Sequence, residues 1–279
     1  MIVHQSLDRD FFAIIDTPEK AYVLGLIWSD GTIDSRSKQV RLRLHQKDGE
    51  VLEAISKIVG GVSPKTIAPS GNAKSPQSAL IWSSQKMVSD LEKLGLCRNK
   101  DQVLPKAQMV DLRFEADFVR GLVDGDGCVQ FVNSTPRISF RNRNDHLLGF
   151  VRNFWKRATG VDVSLDGKKP HKGTGRIYPS VYMSGTNAVA AANATYDGAR
   201  IAMARKLSVV HEFKRWVPSP HRNRFRFGPV IKRIGSSGNS AALLLDAAVA
   251  GHLGVSKGDY VEIELMSDCS LSVRRSKKP

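Results

Sequence analysis

The sequence predicts an α+β protein built from two copies of one αββαβα half related by a pseudo-twofold axis, with a small β-rich unit behind them. Three observations carry this. Two near-identical nonapeptides, VLGLIWSDG (residues 23–31) and VRGLVDGDG (119–127), recur 96 residues apart. Each is followed at the same distance by a strictly alternating stretch, QVRLRLHQ and PRISFRNR. From about residue 218 the texture shifts to the Pro-rich basic run PSPHRNRFRFGP and then to short apolar segments broken by Gly and Ser.

The repeat extends well beyond the nonapeptides. The same offset superposes Tyr22 on Phe118, Gly25 on Gly121, Asp30 on Asp126, Leu42 on Ile138, Leu44 on Phe140 and Leu52 on Leu148. A fixed period of this kind marks duplicated structure. The copies drift apart later, mainly through the insertion GKKPHKGTGRIYP.

Glu19 to Ser29 is apolar on nearly every side, which predicts a helix buried between two bodies. Thr17 and Pro18 supply an N-cap and a first-turn proline. Gly31 and Gly127 are expected as left-handed C-caps. Gly25 and Gly121 would let two such helices cross closely. In QVRLRLHQ the period of two turns Val40, Leu42 and Leu44 to one face and Arg41, Arg43 and His45 to the other. In PRISFRNR it turns Ile138 and Phe140 inward and Arg137, Ser139 and Arg141 outward. Asp48–Val59 and Asp145–Thr159 read as amphipathic helices. The expected boundaries are 1–112 and 113–217 for the halves, 218–227 for the linker, 228–275 for the C-terminal unit and 276–279 for a basic tail.

Composition narrows the function. The 279 residues hold 42 Lys+Arg against 27 Asp+Glu, a net charge of +15. So much self-repulsion points to a polyanionic partner. No apolar run approaches the length of a membrane span, and the N-terminus lacks a signal pattern, so a cytoplasmic protein acting on nucleic acid is expected. Cys97, Cys128 and Cys269 form no closely spaced pair, which argues against a zinc ribbon or a disulfide framework.

Within that basic chain, each nonapeptide ends in Asp-Gly. One Asp-Gly at a helix end is ordinarily a turn. Two of them ending matched helices would bring Asp30 and Asp126 together, and paired carboxylates repel unless a cation bridges them. An oxygen-ligated Mg²⁺, with Mn²⁺ able to substitute, is the natural partner. Beside an arginine-faced saddle, that pair suits hydrolysis of a phosphodiester. Arg41, Arg43, His45, Arg137, Ser139 and Arg141 are then the candidates for contacting double-stranded DNA.

The nonapeptides resemble the LAGLIDADG motif of homing endonucleases, in the single-chain form that carries two motifs and cuts without dimerising. The resemblance covers about residues 15–217. It implies site-specific cleavage of both strands of a long asymmetric target, with Asp30 and Asp126 as metal ligands and the backbone carbonyls of Ser29 and Gly125 as further donors. It implies that Gln46 and Asn142 orient water, and that Lys100 and Lys206 polarise the scissile phosphate. Trp28 departs from the motif, where Asp124 follows it, at a position that is not a ligand. The same fold also serves non-catalytic transcriptional regulators and RNA maturases, the alternative reading. Residues 228–275 resemble AbrB/MazE-type swapped-hairpin domains, which implies a homodimer or added DNA contacts through this unit.

Overall fold

The computed structural model describes residues 6–68, 75–97, 110–166 and 179–218, and in the C-terminal part 235–237, 240–242, 254–255, 259–266 and 271–276. It forms two compact units, Met1–Trp216 and Val217–Pro279.

The first unit is organised around a pair of helices. In α1 (Pro18–Asp30), Thr17 accepts a hydrogen bond from the Lys20 N–H at 3.2 Å, and Ala21 to Trp28 are buried without interruption. α4 (Glu115–Asp126) lies against it. The crossing is so tight that a Cβ on Gly25 would sit 2.2 Å from the Phe118 carbonyl oxygen, and one on Gly121 2.2 Å from that of Tyr22. No side chain fits there, which is the physical reason for glycine at both positions.

Each helix runs straight into a four-stranded antiparallel sheet. The first holds β1 (Gly31–Asp34), β2 (Gln39–His45), β3 (Lys65–Ile67) and β4 (Gln77–Ser83) in the order β1-β2-β4-β3. The second holds β5 (Gly127–Val132), β6 (Thr135–Arg141), β7 (Ser164–Asp166) and β8 (Ser180–Ser184) in the order β5-β6-β8-β7. The first hairpins differ in register by two residues: Gly31 faces Leu42, whereas Gly127 faces Phe140, two residues beyond Ile138, the equivalent of Leu42 at the repeat offset. The α+β architecture expected from the duplication is present, and each sheet adds a three-residue edge strand, β3 or β7, too short to leave a periodic trace in the sequence.

The alternation of β2 and β6 is reproduced. Val40, Leu42, Leu44, Ile138 and Phe140 are buried, while Arg43, His45 and Arg141 are exposed and Arg41, Arg137 and Ser139 half-buried. The core side is covered by α2 (Gly49–Val59) and α3 (Gln85–Lys93) in the first half, and by α5 (Asp145–Thr159) and α6 (Thr186–Tyr196) in the second. α7 (Ala204–Arg215) closes the unit.

The expectation of left-handed caps is corrected. Gly31 has φ −79° and Gly127 φ −97°, both extended. A Cβ on Gly31 would lie 2.7 Å from Ile27, and one on Gly127 2.5 Å from the Val123 carbonyl oxygen. The chain passes from helix to strand with no intervening loop, so it folds back onto the helix's last turn, and glycine is needed for clearance.

In the second unit, β9 (Gly235–Ser237) pairs with β10 (Ser240–Ala242), and β11 (Val261–Leu265) pairs with β12 (Leu271–Arg275), both antiparallel. Arg274 bridges Glu262 and Glu264 on one face of the second hairpin. Residues 243–253 of this unit lie outside the described residues.

Candidate functional site

The ends of α1 and α4 meet. A Cβ on Gly125 would lie 2.6 Å from Asp30 Oδ2 and 2.3 Å from Ser29 Cβ, so the Asp30 carboxylate rests against the backbone just before Asp126. The Ser29 hydroxyl donates to the Leu122 carbonyl of the other helix at 3.1 Å, tying the two ends together. Ser29 and Asp30 are half-buried and Asp126 is exposed. Two carboxylates thus stand at one surface point of a chain carrying +15.

Asn142 stands beside them. Its Nδ2 donates to Asp126 Oδ2 at 2.8 Å, and its Oδ1 accepts from the Asn144 N–H at 2.9 Å. Gln46 occupies the matching place at the end of β2, exposed. The two backbones close alike, the Gln46 N–H onto Pro76 O at 3.2 Å and the Asn142 N–H onto Pro179 O at 3.3 Å.

Lys206 is not where a phosphate-facing lysine is expected. It lies in the first turn of α7, 3% exposed, and donates to the carbonyls of Val123, Asp124 and Gly127 at 2.7, 2.6 and 2.8 Å. All three ammonium protons are therefore spent on the C-terminal end of α4 and the first residue of β5. A cation there satisfies carbonyls that the helix leaves open and opposes its dipole. Burial lowers its pKa to about 8, while Asp124 and Asp30 pull it upward and Arg205 downward. The other expected lysine, Lys100, lies outside the described residues.

Asp124, which the sequence reading set aside, is a hub. Fully buried, it accepts from the Tyr22 hydroxyl at 2.9 Å, the Tyr196 hydroxyl at 2.7 Å and the Met203 N–H at 2.8 Å. Burial pushes its carboxyl above the ordinary range, opposed by the Lys206 charge and these donors. Arg120, also buried, donates to the Ile201 and Thr195 carbonyls and to Asp117, with Tyr22 beneath its guanidinium at 5.4 Å. A charged residue inside an apolar helix is the signal that could have pointed to both.

On the outer faces of the sheets, the expected DNA-contacting side chains are arranged differently in the two halves. Arg41 donates through Nε and Nη2 to Gln39 Oε1 at 2.9 and 2.6 Å. Its equivalent, Arg137, lies over the Tyr182 ring at 4.0 Å. His45 Nδ1 accepts from the Lys47 N–H at 3.0 Å, which assigns the remaining proton of a neutral ring to Nε2. Arg43, Ser139 and Arg141 complete the two rows.

Two helix ends meet, and each helix is followed by a hairpin whose second strand carries the outward cationic side chains. Residues 113–193 match the family model described as a LAGLIDADG-like domain. That match lies within the second half.

Solved structures with LAGLIDADG folds are similar to the chain at low identity. The homing endonuclease I-WcaI, bound to its DNA recognition sequence, is 12% identical over 72% of this chain and 90% of its own, with a TM-score of 0.48. Variants of the homing endonuclease I-DmoI are 16% identical over 70% and 97%, at 0.46, and I-DmoI has also been crystallised with DNA and Mn. The N-terminal LAGLIDADG domain of DUF199/WhiA is 14% identical over 72% and 93%, at 0.45. No curated protein matches the chain. Among the described residues, no helix is long and apolar enough to cross a membrane.

Proposed function

We propose that the chain is a site-specific, divalent-metal-dependent endonuclease for double-stranded DNA that acts as a single chain, in the cytoplasm where its substrate lies. The observation that carries this reading is the meeting of Asp30 and Asp126 at the ends of two helices pressed together by Gly25 and Gly121. A pure binder gains nothing from two carboxylates aimed at a phosphate backbone, since each opposes affinity.

The donor set suits a hard, oxygen-seeking cation. Asp30 and Asp126 would hold Mg²⁺ or Mn²⁺, with the carbonyls of Ser29 and Gly125 as further donors. The described residues contain no cluster of three His, Cys, Asp or Glu. Two carboxylates with water and phosphate filling the remaining positions is how Mg²⁺ is usually held. When bound, such an ion would activate water and stabilise the leaving oxygen.

The chain's own residues do the rest. Asn142 fixes the Asp126 carboxylate through its amide, and its half-buried place at the end of β6, like the exposed place of Gln46 at the end of β2, suits it to orient water at the scissile bond. Lys206 holds the end of α4 rigid rather than touching phosphate. Arg41, Arg43, His45, Arg137, Ser139 and Arg141 bind the duplex and read bases along an asymmetric target, because the two rows differ. The C-terminal unit, read as AbrB/MazE-like, would add DNA contacts or pair two chains.

The test is cleavage of a randomised duplex library with Mg²⁺ and with Ca²⁺. Enriched cut ends that vanish in Asp30→Asn/Asp126→Asn, while that protein still retains the same sequences, are expected. Retention without cutting by the wild type would instead establish the regulator reading.

A further inference from the structure

We infer that the start of α7, from its cap Met203 to Lys206, is a yoke that sets two sides of the cutting centre relative to each other, the first-half side of Asp30 and Gln46 and the second-half side of Asp126 and Asn142, each serving one strand, with Arg205 as a positioning residue for the first-half side. The inference rests on the endonuclease reading above and deepens it.

The turn belongs to the second half but grips both. Lys206 holds the carbonyls of Val123, Asp124 and Gly127, which bracket Asp126 at the end of α4. The Met203 N–H is bonded to Asp124. Between them, Arg205 reaches across to the first half and donates through Nε and Nη2 to the two oxygens of Asp48, at 2.7 and 3.2 Å. Asp48 is only 4% exposed, so the pair is fixed at its acceptor end and is not a fluctuating surface bridge.

Asp48 ends the three-residue turn Gln46–Asp48 that carries the candidate water-orienting Gln46. Its equivalent at the repeat offset is Asn144, whose side chain caps α5 by accepting from the N–H groups of His146 and Leu147. Asp48 occupies the same cap position at the start of α2 but makes no capping bond. The carboxylate has been diverted from its local duty to Arg205. The Gln46 turn is therefore held by the other half, whereas the Asn142 turn is held by its own helix. The geometry makes the first-half side of the centre dependent on α7.

Arg205→Met, Arg205→Lys, Asp48→Asn and the Arg205→Met/Asp48→Asn double variant, all full length, test this on a duplex carrying the selected site with each strand end-labelled. Arg205→Met is expected to slow single-turnover cutting of one strand by about 10–100-fold, the scale of a small misplacement at a reacting centre. The other strand should keep its wild-type rate, and affinity in Ca²⁺ should hold. Asp48→Asn should slow the same strand, the double variant no further, and Arg205→Lys should recover part of the rate. Equal slowing of both strands, or none, overturns the inference.

Amide hydrogen exchange reads the same point without cleavage. The Gln46 and Lys47 amides, bonded to Pro76 O and His45 Nδ1, should exchange faster in Arg205→Met while Asn142 and Asn144 do not change. Unchanged exchange at Gln46 and Lys47 overturns the positioning role. A wild type that cuts neither strand removes the endonuclease reading, and the exchange pattern still decides whether Arg205 holds the turn.

Discussion

The two halves share a backbone and divide the polar chemistry unequally. At the position where the second half buries Asp124 among three hydrogen-bond donors, the first half buries Trp28, whose indole N–H has no partner among the described residues. Where the second half caps a helix with Asn144, the first half hands Asp48 to a cross-half ion pair. The second half thus contains a buried network of Asp124, Tyr196, Arg120 and Lys206, and the first half relies on apolar packing plus what the second supplies. Duplication fixed the frame, and the polar groups then specialised. A satisfied buried network specifies one arrangement but is costly to break, whereas an apolar position tolerates change.

The largest effect should come from exchanging that contrast for a deletion at each matched position. Asp124→Leu would strand the Tyr22 and Tyr196 hydroxyls and the Met203 N–H and leave Lys206 without its main countercharge, a loss of about 3–5 kcal/mol. Trp28→Phe removes an indole N–H that has no partner among the described residues, so its cost should be limited to lost packing, about 1–2 kcal/mol. Urea denaturation of the two variants checks this. Comparable losses would mean that the Asp124 network contributes no more than ordinary packing does, and the comparison would fail.

How much of this was legible depends on the range over which each signal acts. The α1–α4 crossing and the face alternation of β2 and β6 were readable, because glycine in an apolar helix and a period of two are local patterns. The strands β3 and β7 were not, since three residues carry no period. Gly31 and Gly127 were recognised as obligate but for the wrong reason: the letter does not distinguish a left-handed cap from clearance against the preceding turn. The setting of Lys206 and the hub around Asp124 were not legible because their partners lie 72 to 102 residues away in the chain. Only the fold brings α7 back onto the end of α4. That same return made Arg205 invisible as a partner of Asp48.

Lys206 sharpens the comparison through pH. Its folded pKa is near 8, below the ordinary 10.5, because burial disfavours the charge. Between those values the unfolded chain binds more protons than the folded one, so this group makes stability rise with pH across that window and leaves it level below. The melting temperature of the wild type should therefore climb from about pH 8 to pH 10 relative to Lys206→Met, which has no such titration. The methionine protein should be less stable at every pH, having lost three hydrogen bonds to buried carbonyls. Parallel pH profiles for the two proteins would show that Lys206 titrates as an ordinary surface lysine.

The smallest expected difference concerns recognition by the matched arginines. Arg41 is braced by Gln39, which engages Nε and one terminal nitrogen of the guanidinium, the edge that would otherwise be offered to a base. Arg137 instead places its guanidinium over the Tyr182 ring at 4.0 Å, so an aromatic ring helps to position it. Bidentate recognition of guanine needs two N–H groups on one edge. On the proposed DNA-binding reading, the ring-positioned Arg137 is expected to read a base and the amide-braced Arg41 to contact phosphate. Tyr182→Ala should relax preference at one base position by about 1 kcal/mol, the worth of a cation–π contact, while leaving overall affinity nearly intact. Gln39→Ala should leave sequence preference unchanged and alter only affinity and its salt dependence, since phosphate contacts position without specifying. Binding-site selection with each variant in Ca²⁺ measures both. A shift in base preference from Gln39→Ala alone would reverse the assignment and make the first half the reader.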